Sequence, residues 1–321
     1  MKNHRPKDNQ YSQFTMQDTY SGDEGWYHYG HDQRKQGYKM FDGVLVSTDW
    51  LATHLNEPSL RIVDIRGHVL PATEPPPHYF NHYDHYLKSH IPCAVFVDWV
   101  REITNPDDPL HAQIGSPERF AQAMSRAGID ENTYVIAYDD ARGMFAARLW
   151  WALNYYGHTK VAVLDGGWEK WTAENRPTSA EIPTFSPTHF KAVANPSLRR
   201  TADQVHAALK GEQQLVDVRS VEEFNGKASR AKRFGHIPTA KSLPRIELTT
   251  PEGVMLPPDA LRAKFASIGV TESSTNVVFY CNGGVSASYG MLTLRVADLG
   301  HGSLYDGSWK EWGSDESKPI E

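Results

Sequence analysis

Two cysteines occur in the 321 residues, and one of them stands where a thiol could react. Cys281 follows the apolar run VVFY and opens the stretch CNGGVSAS. A thiol between a strand and a helix N-terminus sits among unpaired backbone N–H groups at the positive end of the helix dipole, a setting that favours thiolate. Gly283 and Gly284 let the backbone curl so that successive N–H groups point inward, a nest for an anion or a charged sulfur. The bland alternative is a buried structural cysteine beside a glycine turn. Cys93, in the string HIPCA, has no such loop after it. Neither cysteine has CxxC spacing, and two are too few for a disulfide scaffold, so a reduced, cytoplasmic setting is expected. A second group of residues able to do chemistry is His78, His82, His85 and His90 in PHYFNHYDHYLKSH. His78 and His82 have the i, i+4 spacing of a helical metal pair, but Asp84 is the only nearby carboxylate and no cysteine converges. These histidines are therefore expected at the surface or a domain interface, with no metal and no cofactor.

The elements that must position Cys281 are legible through an internal repeat. IVDIR at 62–66 returns as LVDVR at 215–219, HIPCA at 90–94 as HIPTA at 236–240, VIAYDD at 135–140 as VVFYCN at 277–282, and LDGGWEKW at 164–171 as YDGSWKEW at 305–312. Four landmarks in one order, roughly 145 residues apart, mean two copies of one domain rather than a solenoid. Ile62–Ile65, Leu215–Val218, Val135–Tyr138 and Val277–Tyr280 read as buried parallel strands. Asp49–Leu55, Pro117–Ala127, Phe145–Tyr156, Thr201–Leu209, Pro258–Ile268 and Ser288–Leu299 read as helices, with Ser116 the clearest cap. Alternating strands and helices predict an α/β fold, each copy a central, mainly parallel sheet flanked by helices. The carboxyl edge of such a sheet is where ligands usually bind. The copies span 41–172 and 198–321; the proline-bearing stretch 173–197 reads as a linker, and 1–40 as an extension that is disordered or packs late on the surface.

The repeat also weighs the two readings of Cys281, because the first copy carries Asp139 at the matching turn. The VDxR and HIP landmarks in both copies, the loop CNGGVSAS and the endings DGGWEKW and DGSWKEW resemble the tandem-domain rhodanese family, the thiosulfate and 3-mercaptopyruvate sulfurtransferases. The resemblance covers about residues 44–321, and VDVRSVEEFNGK at 216–227 looks like bacterial members. It implies two homologous rhodanese-like domains, the first catalytically silent, with Asp139 in place of the nucleophile. It further implies that Cys281 takes the outer sulfur of an anionic donor, thiosulfate or 3-mercaptopyruvate, as a persulfide, and that a thiophilic acceptor such as cyanide or a thiol removes it. A covalent intermediate of this kind splits one difficult transfer into two easier ones. Asn282, Gly283, Gly284, Val285 and Ser286 would cradle the persulfide through loop amides, and Arg219 would sit near the substrate anion, its counterpart Arg66 pairing structurally. The loop departs from both subtypes. It lacks the basic side chains of thiosulfate-preferring members, Gly283 stands where mercaptopyruvate-preferring members place serine, and Glu223 stands in for their second arginine. Donor-binding charge could come from Arg230, Lys232, Arg233 or Arg245, which equally suit a solvated loop.

Other readings are weaker. A cysteine-dependent phosphatase needs an arginine to clamp phosphoryl oxygens where this chain has Ala287. A sulfur carrier or interaction module without turnover competes with an enzyme. A formal charge of −6, from 33 basic and 39 acidic residues, argues against a general nucleic-acid binder. No apolar run is long enough to span a membrane. Trp150, Trp151, Trp168, Trp171, Trp309 and Trp312 lie in repeated apolar segments and are expected in the core.

Overall fold

The computed structural model describes residues 40–321 apart from 42, 72, 73, 76 and 212, so the extension expected over 1–40 lies outside the described residues save for Met40. In the first half, β1 (Leu45–Val46), β2 (Leu60–Asp64), β3 (Gly67–Val69), β4 (Tyr79–Asn81), β5 (Ala94–Phe96), β6 (Tyr134–Tyr138) and β7 (Val161–Leu164) follow one another. Five of them form a parallel sheet in the order β1-β7-β6-β2-β5, and β3 and β4 form a separate antiparallel hairpin. The second half has β8 (Arg199–Arg200), β9 (Gln214–Asp217), β10 (Lys241–Ser242), β11 (Val277–Tyr280) and β12 (Ser303–Tyr305). Their order, β10-β9-β11-β12-β8, is the same topology. Central strands β2, β6, β9 and β11 are buried almost throughout, as their unbroken apolar runs require when helices cover both faces.

The helices are α1 (Thr48–His54), α2 (Tyr83–Lys88), α3 (Pro117–Arg126), α4 (Met144–Tyr155), α5 (Gly167–Ala173), α6 (Ala202–Ala207), α7 (Val221–Phe224), α8 (Pro258–Ser267), α9 (Val285–Val296) and α10 (Ser308–Trp312). Ser116 caps α3 by accepting from the Arg119 N–H, and Thr201 and Gln204 make a reciprocal capping box on α6. The expected start of α9 at Ser288 is three residues late. Gly284, at φ +81°, supplies a left-handed residue that turns the chain directly into the helix, so Val285 and Ser286 belong to its first turn.

Helices α4 and α9 pack against each other across the junction of the two domains while each also covers its own sheet. Hence Phe145 to Leu153 is a continuous buried run, and one hydrophobic cluster contains residues of both domains. Trp151, Trp171, Trp309 and Trp312 are fully buried, as expected. The segment after α5 is docked, not free: Ser179 exchanges backbone bonds with His90, Phe185 stacks 3.4 Å from the Arg61 guanidinium, and Phe190 is buried. No helix among the described residues is long and apolar enough to cross a membrane.

Candidate active site

Cys281 sits at the carboxyl end of β11, 4% exposed, between that strand and α9. Its carbonyl accepts from Trp309 N at 2.9 Å and that of Asn282 from Lys310 N at 3.0 Å, so α10 clamps the loop from outside. Ser308 Oγ accepts from the N–H groups of both Cys281 and Gly284, each at 3.1 Å, and donates to Tyr305 O. Gly284, expected as a cradle donor, thus commits its N–H to Ser308 and contributes the turn instead. A Cβ there would lie 2.6 Å from Asp306 Oδ1. Asn282 Nδ2 donates to Glu223 Oε1 at 2.7 Å, and Ser286 Oγ contacts Met144 Sδ of the first domain at 3.2 Å.

The equivalent loop of the first domain displays what such a turn holds. The fully buried carboxylate of Asp139 accepts from Ala141 N and Gly143 N through Oδ1, and from Phe145 N and Ala146 N through Oδ2, all within 2.9 Å. Burial pushes the pKa of Asp139 up, against the four N–H donors that favour its ionised form. Gly143, at φ +78°, starts α4 as Gly284 starts α9, so Phe145 and Ala146 correspond to Ser286 and Ala287. The first-domain turn therefore converges its N–H groups on one carboxylate. By this correspondence Ala287, absent from the sequence-based set, stands beside Ser286 at the matching positions.

The two turns differ in one charged side chain of the tryptophan-bearing segment that follows each sheet. Lys310 lies in the field of Cys281, its Nζ bonded to Tyr79 Oη and 4.6 Å from the Tyr79 ring centroid. Burial first, and Arg230 second, push its pKa down to about 8, with Cys281 opposing. Arg245 lies between the two turns: burial lowers its pKa against the opposing fields of Asp139 and, more weakly, Cys281, and it donates to the carbonyls of Ala141 and Arg142. At the position of Lys310 the first domain has Glu169, a second carboxylate in the field of Asp139. Lys310 was not singled out from sequence, although the difference between DGGWEKW and DGSWKEW marks both it and Ser308. Of the other basic candidates, Arg230 donates to Leu70 O and lies near Lys310, Lys232 is exposed, and Arg233 binds carbonyls of Trp312, Gly313 and Lys318.

Arg219, expected beside the substrate anion, is engaged within its own domain. Its side chain is wholly enclosed, bonded to both Asp217 oxygens and to Gly235 O, with the guanidinium 4.6 Å from the Trp309 ring centroid. Arg66 does the same with Asp64, Ser89 O and Trp168. The VDxR arginine is thus a brace in both copies, because a buried guanidinium satisfies the aspartate two residues before it and stacks on the tryptophan of the DGxW turn. Cys93 lies apart from the loop, at φ +65°, in the same left-handed turn as Thr239 at φ +70°.

Each domain also reaches over the turn of the other. Ile114 N donates to Asp306 Oδ2, while Met255 N donates to Asp165 Oδ1 at the matching place. The buried Arg148 of α4 pairs with the buried Asp306 at 2.7 Å. A Cβ on Gly283 would contact His111 O and Ala112 Cβ at 3.7–3.8 Å, so the first domain roofs the Cys281 loop. His111 and Ala112 hold φ of +54° and +58°, strained values for residues with side chains.

Residues 47–174 and 201–315 each match the rhodanese-like domain family. The chain is 33% identical over 291 residues to the sulfur carrier protein TtuD of Thermus thermophilus, covering 86% of this chain and 96% of that one. It is 32% identical over 280 residues to the 3-mercaptopyruvate sulfurtransferase of Escherichia coli K12, covering 86% and 97%. The crystal structure of SseA from Escherichia coli, described as a rhodanese-fold 3-mercaptopyruvate sulfurtransferase, superposes with a TM-score of 0.73 at 32% identity, covering 83% of this chain and 99% of that one. Two such modules, aligned along nearly the full length of these relatives, make the chain a member of the rhodanese-like family and a two-domain sulfurtransferase.

Proposed function

We propose that Cys281 carries sulfane sulfur as a persulfide between a small anionic donor and a thiophilic acceptor. The supporting observation is Asp139. An amide turn that holds a carboxylate in the first domain holds a thiol at the same place in the second, beside Lys310 instead of Glu169. The Cys281 thiolate attacks the outer sulfur of the donor; the new S–S bond forms as the bond to sulfite breaks, or as the bond to the carbon of mercaptopyruvate breaks, that carbon leaving as the enolate and taking up the donor thiol's proton to give pyruvate. The N–H groups of Asn282, Gly283, Val285, Ser286 and Ala287 surround the resulting negative sulfur, fixed donors in a site where little water dilutes them. An acceptor nucleophile then takes the terminal sulfur and Cys281 departs as thiolate. Lys310, Arg230 and Arg245, rather than the enclosed Arg219, supply charge to the donor anion. The reducing cytoplasm suits a nucleophile that must remain a thiol.

A sulfur carrier is the second reading, favoured by the likeness to the Thermus protein. Mass spectrometry after exposure to thiosulfate or 3-mercaptopyruvate should find one added sulfur on the Cys281 peptide, and cyanide or a thiol should remove it over many turnovers. A persulfide formed but not turned over would support the carrier, and an adduct on Cys93 or on neither cysteine would end both readings.

A further inference from the structure

The carboxyl edge of the first domain gathers a histidine cluster that its own turn does not use. Asp140 follows Asp139 at the end of β6, and β6 lies beside β2. The chain leaving β2 returns through the hairpin so that His82 N donates to Arg66 O, which puts His82 at the head of α2 and His85 in its first turn. His82 Nδ1 and Asp140 Oδ2 are 2.6 Å apart, while Asp140 Oδ1 accepts from Gly67 N at 3.2 Å. His82, His85 and Asp140 each bring a ligand atom within 4.8 Å of the others. On the far side of the ring, His82 Nε2 and His68 Nδ1 are 2.7 Å apart.

We propose that His82, His85 and Asp140 form a site for a divalent metal of zinc type, with His68 fixing the orientation of His82 from behind. The carboxylate that adjacent sequence lacked is supplied by Asp140, 58 residues after His82. The ion takes the place of the proton between His82 Nδ1 and Asp140 Oδ2, and that proton is released to solvent. His82 then donates from Nε2–H to His68 Nδ1, the outer hydrogen bond that metal-binding histidines ordinarily make. Metal–ligand distances near 2.0–2.1 Å in tetrahedral geometry set ligand atoms about 3.3 Å apart, so His82 Nδ1 and Asp140 Oδ2 part by roughly 0.7 Å as the ion enters between them and His85. Two imidazoles and one carboxylate suit zinc and its transition-metal neighbours rather than magnesium or calcium. A three-ligand set leaves one coordination position open. His82 and His85 line a surface groove of about 820 Å³ shared with Tyr83, Phe96 and Ile182, which gives solvent ions access to them.

The test uses the full chain without a histidine tag, stripped with chelator and titrated with zinc sulfate. Calorimetry and elemental analysis should give one zinc per chain. Affinity should fall at least a hundredfold in His85→Ala and Asp140→Asn, about tenfold in His68→Ala, and stay unchanged in Cys281→Ala. Cobalt(II) should give a four-coordinate visible spectrum without a sulfur-to-metal charge-transfer band. His85 is exposed, so its variant should keep the native melting profile. Zinc retained by His85→Ala and Asp140→Asn, zinc lost in Cys281→Ala, or no retained zinc would each overturn the site.

Discussion

Lys310 is the side chain that most separates the second turn from the first. With its pKa pushed down to about 8, it is a cation below that pH and neutral above it. Attraction for a donor anion should therefore fade as pH rises from about 7 to about 9, seen as a rising apparent KM in steady-state kinetics. Lys310→Met should raise KM about tenfold at pH near 7, the worth of one charge-assisted contact of about 1.4 kcal/mol, and flatten that pH limb. A variant with unchanged KM would remove Lys310 from donor binding. Cys93 teaches the reverse lesson. Its φ of +65° costs a side chain roughly 1 kcal/mol that glycine avoids, so Cys93→Gly should raise the midpoint of urea unfolding and leave sulfur transfer intact. Loss of transfer in a folded Cys93→Gly protein would refute the assignment of Cys281.

At the scale of elements, the two strand–turn–helix units show one cradle with different occupants. Asp139 satisfies four N–H groups at the start of α4, which would otherwise be buried without acceptors. Asp139→Ala should cost about 2–3 kcal/mol by urea titration, a lost cap combined with unsatisfied buried donors. Thiosulfate or sulfate entering the emptied turn should recover part of the loss, whereas a variant as stable as the parent would mean that the turn holds no anion. The start of α9 belongs to the same scale. Periodicity placed it at Ser288 because Val285 and Ser286 look like loop, and only the left-handed Gly284 shows that their amides belong to a helix N-terminus.

The whole molecule makes one active turn from two domains. Arg148 crosses from α4 to Asp306, whose backbone supports the Cys281 loop through Gly307 and Ser308. Removing Arg148 leaves the buried Asp306 with Arg199, 3.3 Å away, as its remaining cation, so Arg148→Met should lose roughly 2–3 kcal/mol of unfolding free energy, less than an uncompensated buried charge would cost. Its kcat should fall as well, because Asp306 and the roof formed by His111 and Ala112 shift together. A variant that unfolds at the parent's denaturant concentration would show that the pair is not what joins the domains. The duplication is thus more than a repeat of folds, since each copy extends a segment over the turn of the other.

Local chemistry by itself determined the duplicated α/β fold, the strand–turn–helix around Cys281 and the inequality of Cys281 and Asp139, because these depend on short runs, turn glycines and comparison of two copies. The partners of Arg219 were not legible for the same reason. Its position after a strand is local, but whether its guanidinium meets a substrate or Asp217 depends on what Trp309 and Gly235 bring against it. The roof over the loop, the approach of Lys310 to Cys281 and the meeting of His82 with Asp140 were decided by tertiary structure alone. Parallel strands order themselves in space differently from their order in the chain, and a field or a ligand set is made by whatever the neighbouring strand ends deliver.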